Sequence, residues 1–372
     1  MEQNRLNSFL EPYDAPSWTE GLTGVPSHKV KLSQSDTPLE RWNLPGVPDG
    51  YEIYIKRDDM TGSVLGGNKV RKLDLLFADA IKQGCTAVIT AGALTSNHCR
   101  TTAIAARSLG MDAHIMLKTD QDPDSVPCAG NYLLDHMVGA HVYFIPKTSK
   151  MHDILPRMNQ LVDKIKKETG KKAYIIPPGG SNAVGMFGYV NAFAEMEKQG
   201  VCDSFTDVVS AAGTGGTSTG LIVGNYLTGN KLRIHGMIVS LSFNHNNLNK
   251  MLQDVGLQKP DGTGVKSEDS INIVHGPIGE GYAVNTPEEL EFLADVARQT
   301  GIILDPVYSG KAAYHLVKKL NTNPEIFKGK KIVFIHTGGV FGLFDGRMEN
   351  VLLAGGGSKK VKVWNELTND AP

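Results

Sequence analysis

The chain has 372 residues, 41% of them hydrophobic and 21% charged, with 38 Lys and Arg against 39 Asp and Glu. That length allows two domains with sizeable cores, and the balanced charge leaves no electrostatic case for nucleic acid or an anionic membrane surface. Cys85, Cys99, Cys128 and Cys202 are scattered without zinc-ligand spacing, which implies no metal and reduced thiols in a cytoplasmic setting; no apolar run approaches the roughly 18 residues of a membrane span, and Met1-Glu2-Gln3-Asn4-Arg5 lacks the apolar segment of a secretory signal.

Residues 1–30 are polar and rich in Pro and Gly, and read as an irregular surface arm with a second subunit as its candidate contact. Glu52 to Arg57 alternates and is predicted to be a strand. Gly66 and Gly67 form a turn, after which Leu73, Leu76, Phe77, Ala80 and Ile81 make one apolar helical stripe. Strand–helix units then follow: strand 87–90, helix 97–109 stopped by Gly110, strand 113–117, helix 128–137, strand 142–145, helix 151–169 stopped by Gly170, and strand 173–176. Pro177-Pro178-Gly179-Gly180-Ser181 marks a break. Beyond it come helix 183–199, strand 207–211, a glycine loop that opens a helix, strand 234–240, helix 246–255, a loop at 262–266, helices 287–300 and 312–320, and strand 331–336. The tail 355–372 reads as flexible. Such alternation implies a parallel sheet covered by helices on both faces.

Lys69 sits where a glycine turn becomes a helix. The first-turn N–H groups and the macrodipole make that place electropositive, and Arg71 and Lys72 are close by. Both effects favour the neutral amine, the form that attacks carbonyls. On local composition alone, a solvated basic helix start that merely caps well is the simpler reading. Ala211-Ala212-Gly213-Thr214-Gly215-Gly216-Thr217 follows a strand and opens a helix, which makes an anion cradle of backbone N–H groups; it lacks both the Gly-Lys-Ser/Thr ending and the dinucleotide spacing. Ser96 and Asn97 suit a helix N-cap. Tyr308 alone reads as a half-buried packing tyrosine, and Cys99 as a small packed residue.

Lys56-Arg57-Asp58-Asp59 followed by Gly66-Gly67-Asn68-Lys69-Val70-Arg71-Lys72-Leu73 resembles the signature of the D-cysteine desulfhydrase and aminocyclopropane-carboxylate deaminase family, and further motifs extend the resemblance from Lys31 to Leu353. It implies a pyridoxal 5'-phosphate enzyme of the tryptophan-synthase-β fold type (fold type II): α/β, with two domains, each an open, mostly parallel twisted sheet with helices on both faces. Residues 1–71 and 181–372 would form the larger, cofactor-binding domain and 72–180 the smaller. The resemblance makes Lys69 the cofactor lysine and puts Gly213, Thr214, Gly215, Gly216, Thr217 and Lys72 at its phosphate. It places Asn97 at the cofactor's phenolic oxygen, Ser96 and Tyr308 over the substrate as catalytic groups, and Asn68, Asn97 and His98 against the substrate. A cytoplasmic homodimer is implied as well.

Two positions separate the family's activities. The deaminase has Glu after Asp-Pro-Val-Tyr and Leu before the final Gly-Gly, whereas this chain has Ser309 and Thr337, as the desulfhydrase does. A carboxylate at the pyridine nitrogen keeps it protonated and deepens the electron sink needed to open a cyclopropane; expelling a thiol needs only a hydroxyl there. The expectation is β-elimination of D-cysteine to pyruvate, ammonia and hydrogen sulfide by a lyase. The alternative is a hydrolase-type deaminase yielding 2-oxobutyrate and ammonia from the cyclopropane substrate. A cofactor carrier without turnover would keep Lys69 and the glycine loop but has no use for Ser96 and Tyr308.

Overall fold

Neighbouring side chains of the strand Asp207–Ala212 enter different cores. Val208 is buried with the helices Ala183–Lys198 and Gly216–Leu227, while Val209 and Ala211 are buried with Pro287–Thr300 and Ser309–Thr322. A strand sends successive residues to opposite faces, so this sheet is covered by helices on both sides. The computed structural model describes residues 2–354; the tail expected to be flexible, 355–372, lies outside the described residues.

The sheet has six strands in the order Asn272–Val274, Arg233–Ile238, Asp207–Ala212, Lys331–Ile335, Glu52–Lys56 and Leu39–Arg41. All its pairings are parallel except the last. A second sheet of four parallel strands runs His141–Ile145, Asp112–Lys118, Ala87–Ala93 and Ala173–Ile175. It too is buried on both faces: Val88 and Ile115 pack with the helix Asn97–Leu109, and Ile89 and Met116 with Met151–Thr169. The expected α/β architecture of two mostly parallel sheets is therefore what forms. Leu39–Arg41 and Asn272–Val274, three residues each at the two edges of the six-stranded sheet, are not among the strands expected from the sequence.

The first thirty residues are not the irregular surface arm expected. Glu2–Asn7 is a helix, and its Leu6 is buried with Val30 in the core of the four-stranded sheet. Tyr13 packs in the other core and donates to Asn191 at 2.6 Å, while Trp18 donates to Glu197 at 2.9 Å. The arm thus serves both cores. Its apolar residues are too widely spaced to reveal this in sequence.

The Lys56-Arg57-Asp58-Asp59 block proves to be a framework element. Arg71 donates from Nε and Nη2 to Asp58 at 3.1 and 2.9 Å, and from Nη1 and Nη2 to Glu195 at 2.6 and 2.9 Å. Lys56 reaches Glu195 at 3.1 Å, and Tyr189 donates to Asp58 at 2.6 Å. Two cations and two carboxylates, all buried, balance one another and clamp the helix Asn68–Lys82 to Ala183–Lys198.

Candidate active site

Three segments that carry candidate residues, and the framework segment 57–61, leave the carboxyl ends of parallel strands, the edge on which ligands collect in open α/β sheets. Residues 57–61 follow Glu52–Lys56, Leu94–Asn97 follow Ala87–Ala93, Gly213–Gly215 follow Asp207–Ala212, and His336–Gly339 follow Lys331–Ile335. Gly67 has φ +118°, and a Cβ on it would stand 2.8 Å from the Thr337 carbonyl oxygen. Only glycine permits both that conformation and that approach. The contact lets Asn68 N–H donate to the same carbonyl at 3.1 Å and starts the helix that carries Lys69.

The Lys69 amine donates to Asn68 Oδ1 at 3.0 Å and lies 5.6 Å from the centre of the Tyr308 ring. Burial pushes its pKa down to about 8, with Asp305 opposing and Arg100 assisting. The expected lowering is present, but its source differs from the sequence argument: Arg71 is neutralised by Asp58 and Glu195, and burial is the largest cause. Asn68 was expected against the substrate. Its amide is instead engaged within the protein at both ends, since Nδ2 donates to Thr217 Oγ1 at 3.0 Å.

The glycine loop is a cup. Gly216 begins the helix Gly216–Leu227, and a Cβ there would meet Ser181 Oγ at 2.7 Å and Lys72 Nζ at 3.0 Å. Ser181, which sequence reasoning did not single out, accepts from Gly216 N–H at 3.2 Å and shares a 2.6 Å hydrogen bond with Thr214. Lys72 is 2% exposed, and among the described residues its amine bonds only to the Gly179 carbonyl, at 3.2 Å. Burial first, and then Lys69, hold its pKa well below the usual lysine value. A buried amine facing one neutral acceptor and a ring of backbone N–H groups is completed by an anion.

Ser96 is the N-cap of Asn97–Leu109, its Oγ accepting from Cys99 N–H at 3.2 Å. Its hydroxyl also lies beside the Cys99 thiol. His98 does not face the recess as a donor. Thr90 Oγ1 gives its proton to the Ile176 carbonyl at 2.8 Å and so accepts from His98 Nε2–H at 2.9 Å. Nδ1 is then left as a buried acceptor, which cannot donate to a carboxylate. Burial, Lys69 and Lys72 keep the ring neutral.

Tyr308 shares a 2.7 Å hydrogen bond with Tyr282, a residue whose loop carries no periodic signal and which the sequence reading missed. Burial and Tyr282 hold the Tyr308 phenol well above its ordinary pKa, so it is a proton donor and not a base at neutral pH. Ser309 donates to Asp305 Oδ1 at 2.6 Å and accepts from Asp305 N–H at 3.0 Å. Its hydroxyl is therefore spent inside the turn, whereas Thr337 Oγ1 bonds to no described residue.

Residues 30–338 match the family described as pyridoxal-phosphate dependent enzyme. This chain belongs to that family. It is 46% identical over 347 residues to the mitochondrial bifunctional D-cysteine desulfhydrase/1-aminocyclopropane-1-carboxylate deaminase of Arabidopsis thaliana, which covers 90% of this chain and 84% of the relative. It is 34% identical over 322 residues to a D-cysteine desulfhydrase of Serratia proteamaculans, covering 85% and 95% of the two chains. A solved structure described as an ACC deaminase homologue superposes with a TM-score of 0.76 at 34% identity, over 92% of this chain and 99% of that one. As a pyridoxal-phosphate enzyme the chain has a donor set that fits the cofactor. The cup with Lys72 suits a phosphate, Lys69 offers a partly neutral amine to an aldehyde, and Thr337 offers a hydroxyl that no described residue engages. No helix among the described residues is long and apolar enough to cross a membrane.

Proposed function

We propose that this protein eliminates hydrogen sulfide from D-cysteine to give pyruvate and ammonia. The observation that carries the choice is the state of the two positions that separate the family's activities: Ser309 is bound to Asp305, and Thr337 presents a hydroxyl. Asp305, the buried carboxylate bonded to Ser309, already accepts from Val307, Tyr308 and Ser309 N–H at 3.0, 2.9 and 2.7 Å. A pyridine nitrogen held here meets a hydroxyl and no free carboxylate, which suits departure of a thiol.

Bound in the cup, pyridoxal 5'-phosphate supplies an electron-poor ring that takes up the pair left when a bond at the substrate Cα breaks. The chain's residues do the rest. Lys72, Ser181 and the backbone from Gly213 to Thr217 would hold the phosphate, Thr337 would serve the ring nitrogen and Asn97 the phenolic oxygen. The N–H groups of Asn97 and His98, unpaired among the described residues at the start of a 13-residue helix, receive the substrate carboxylate. Lys69 removes the Cα proton, and Tyr308, kept protonated, gives a proton to the sulfur as it leaves Cβ with the bonding pair. Ser96 relays protons at the helix start. The released enamine takes up water and falls to pyruvate and ammonia.

A second reading, deamination of 1-aminocyclopropane-1-carboxylate, is favoured by the Arabidopsis relative, whose name carries both activities. A panel of amino acids scored for hydrogen sulfide, pyruvate and 2-oxobutyrate separates the two; a higher rate on the cyclopropane substrate overturns the first. The same reading includes a division into domains 1–71 with 181–372 and 72–180, a homodimer, tested by light scattering, and a reducing cytoplasmic setting. Four unpaired cysteines are consistent with that setting.

A further inference from the structure

We infer that Asn131, on the helix Gly130–Met137, is a positioning residue that decides which end of the Asn97 amide faces the cofactor. The inference rests on the reading above that Asn97 serves the phenolic oxygen.

An amide side chain has a donor end and an acceptor end of nearly equal shape, so its orientation is set by its partners. Asn131 has two partners that admit no ambiguity. Its Nδ2 donates at 3.0 Å to the Thr95 carbonyl, which can only accept, and its Oδ1 accepts at 3.2 Å from Arg100 Nε, which can only donate. With Asn131 so fixed, the same Nδ2 also donates at 2.9 Å to Asn97. The atom of Asn97 on that side must be the acceptor, Oδ1. Its Nδ2 is thereby turned the other way, toward Gly339, where a Cβ would stand only 2.9 Å from it. That nitrogen has no acceptor among the described residues. Gly339 follows Thr337 by two residues, at the edge where the ligand-binding segments converge.

The chain of orientation begins further out. Arg100 is fully buried; it donates from Nη1 to the Val64 carbonyl and lies 5.0 Å from the Phe341 ring centre. The buried carboxylate that acts on its charge is Asp135, one helical turn beyond Asn131, whose oxygens have no hydrogen-bond partner among the described residues. Arg100 is thus held by groups from both sides of the recess, and its fork direction passes through Asn131 to Asn97.

The test compares binding of pyridoxal 5'-phosphate with that of its analogue lacking the phenolic oxygen, by equilibrium dialysis against the full-length apoprotein. Asn97→Ala should weaken the natural cofactor about tenfold and leave the analogue within about twofold, the scale of one charge-assisted hydrogen bond. Asn131→Asp replaces the donor by an acceptor, so the Asn97 amide must turn over and present Oδ1 to the phenolic oxygen. It should reproduce that selective tenfold loss; Asn131→Ala, which frees the amide to rotate, should show a smaller selective loss and serves if the Asp variant does not fold. Equal losses for cofactor and analogue, or none for either, would mean that Asn131 is merely structural and would overturn the inference. If Asn97→Ala fails to discriminate, the reading of Asn97 is wrong and the inference falls with it, an outcome distinct from failure of Asn131 alone.

Discussion

Lys69 Nζ donates to the side chain of the residue immediately before it, Asn68 Oδ1, at 3.0 Å, and the far end of that amide reaches Thr217 in the glycine loop. Adjacent residues on a regular helix do not face each other; the pairing is possible because the helix begins at Asn68, just after the strained turn at Gly67. One amide therefore connects the reactive amine with the anion cup, 149 positions further on.

With its pKa pushed down to about 8, Lys69 is mostly neutral above that pH and mostly protonated below it. Reaction of the apoprotein with a simple aldehyde should therefore rise through about pH 8, well below the value for a free lysine. Lys69→Ala should abolish covalent retention of the cofactor after borohydride reduction, together with turnover. Full retention in that variant would move the attachment to another lysine, with Lys72 the first to examine.

Gly216→Val should weaken cofactor binding by about ten- to a hundredfold, the equivalent of one or two charge-assisted hydrogen bonds. The new Cβ would occupy the space between Ser181 and Lys72. Titration of the apoprotein with cofactor, alongside a thermal melt to establish folding, measures this. Unchanged affinity would reduce the loop to a turn.

Ser309 and Thr337 should respond differently. Ser309→Ala removes two buried hydrogen bonds to Asp305 and should cost about 1–3 kcal/mol of stability in denaturant unfolding. Thr337→Val removes a hydroxyl that bonds to no described residue, so stability should barely move while the rate of sulfide release falls. Equal effects of the two on sulfide release would return Ser309 to the ring nitrogen.

Arg71→Met leaves the Asp58 and Glu195 carboxylates buried with Lys56 as their one remaining cation among the described residues. A loss of about 3–5 kcal/mol follows from breaking such a network on one side. A melting temperature within a few degrees of the parent would show the clamp to be dispensable.

What could be read from the amino-acid order was whatever is written locally. The strand–helix alternation, the helix begun by Gly66-Gly67 with Lys69 inside its first turn, and the glycine loop from Gly213 to Thr217 each lie within one short segment, where period and turn chemistry suffice. Family motifs added which of these segments belong together. Only the tertiary structure decided the partnerships between distant segments. It spends Ser309 on Asp305 and Asn68 on Thr217, turns His98 toward Thr90, brings Tyr282 to Tyr308 and Ser181 to Gly216, and sets Asn131 between Arg100 and Asn97. The reason is physical: a polar side chain's role depends on which donors and acceptors burial leaves within about 3 Å of it, and most of those neighbours come from other turns of the chain.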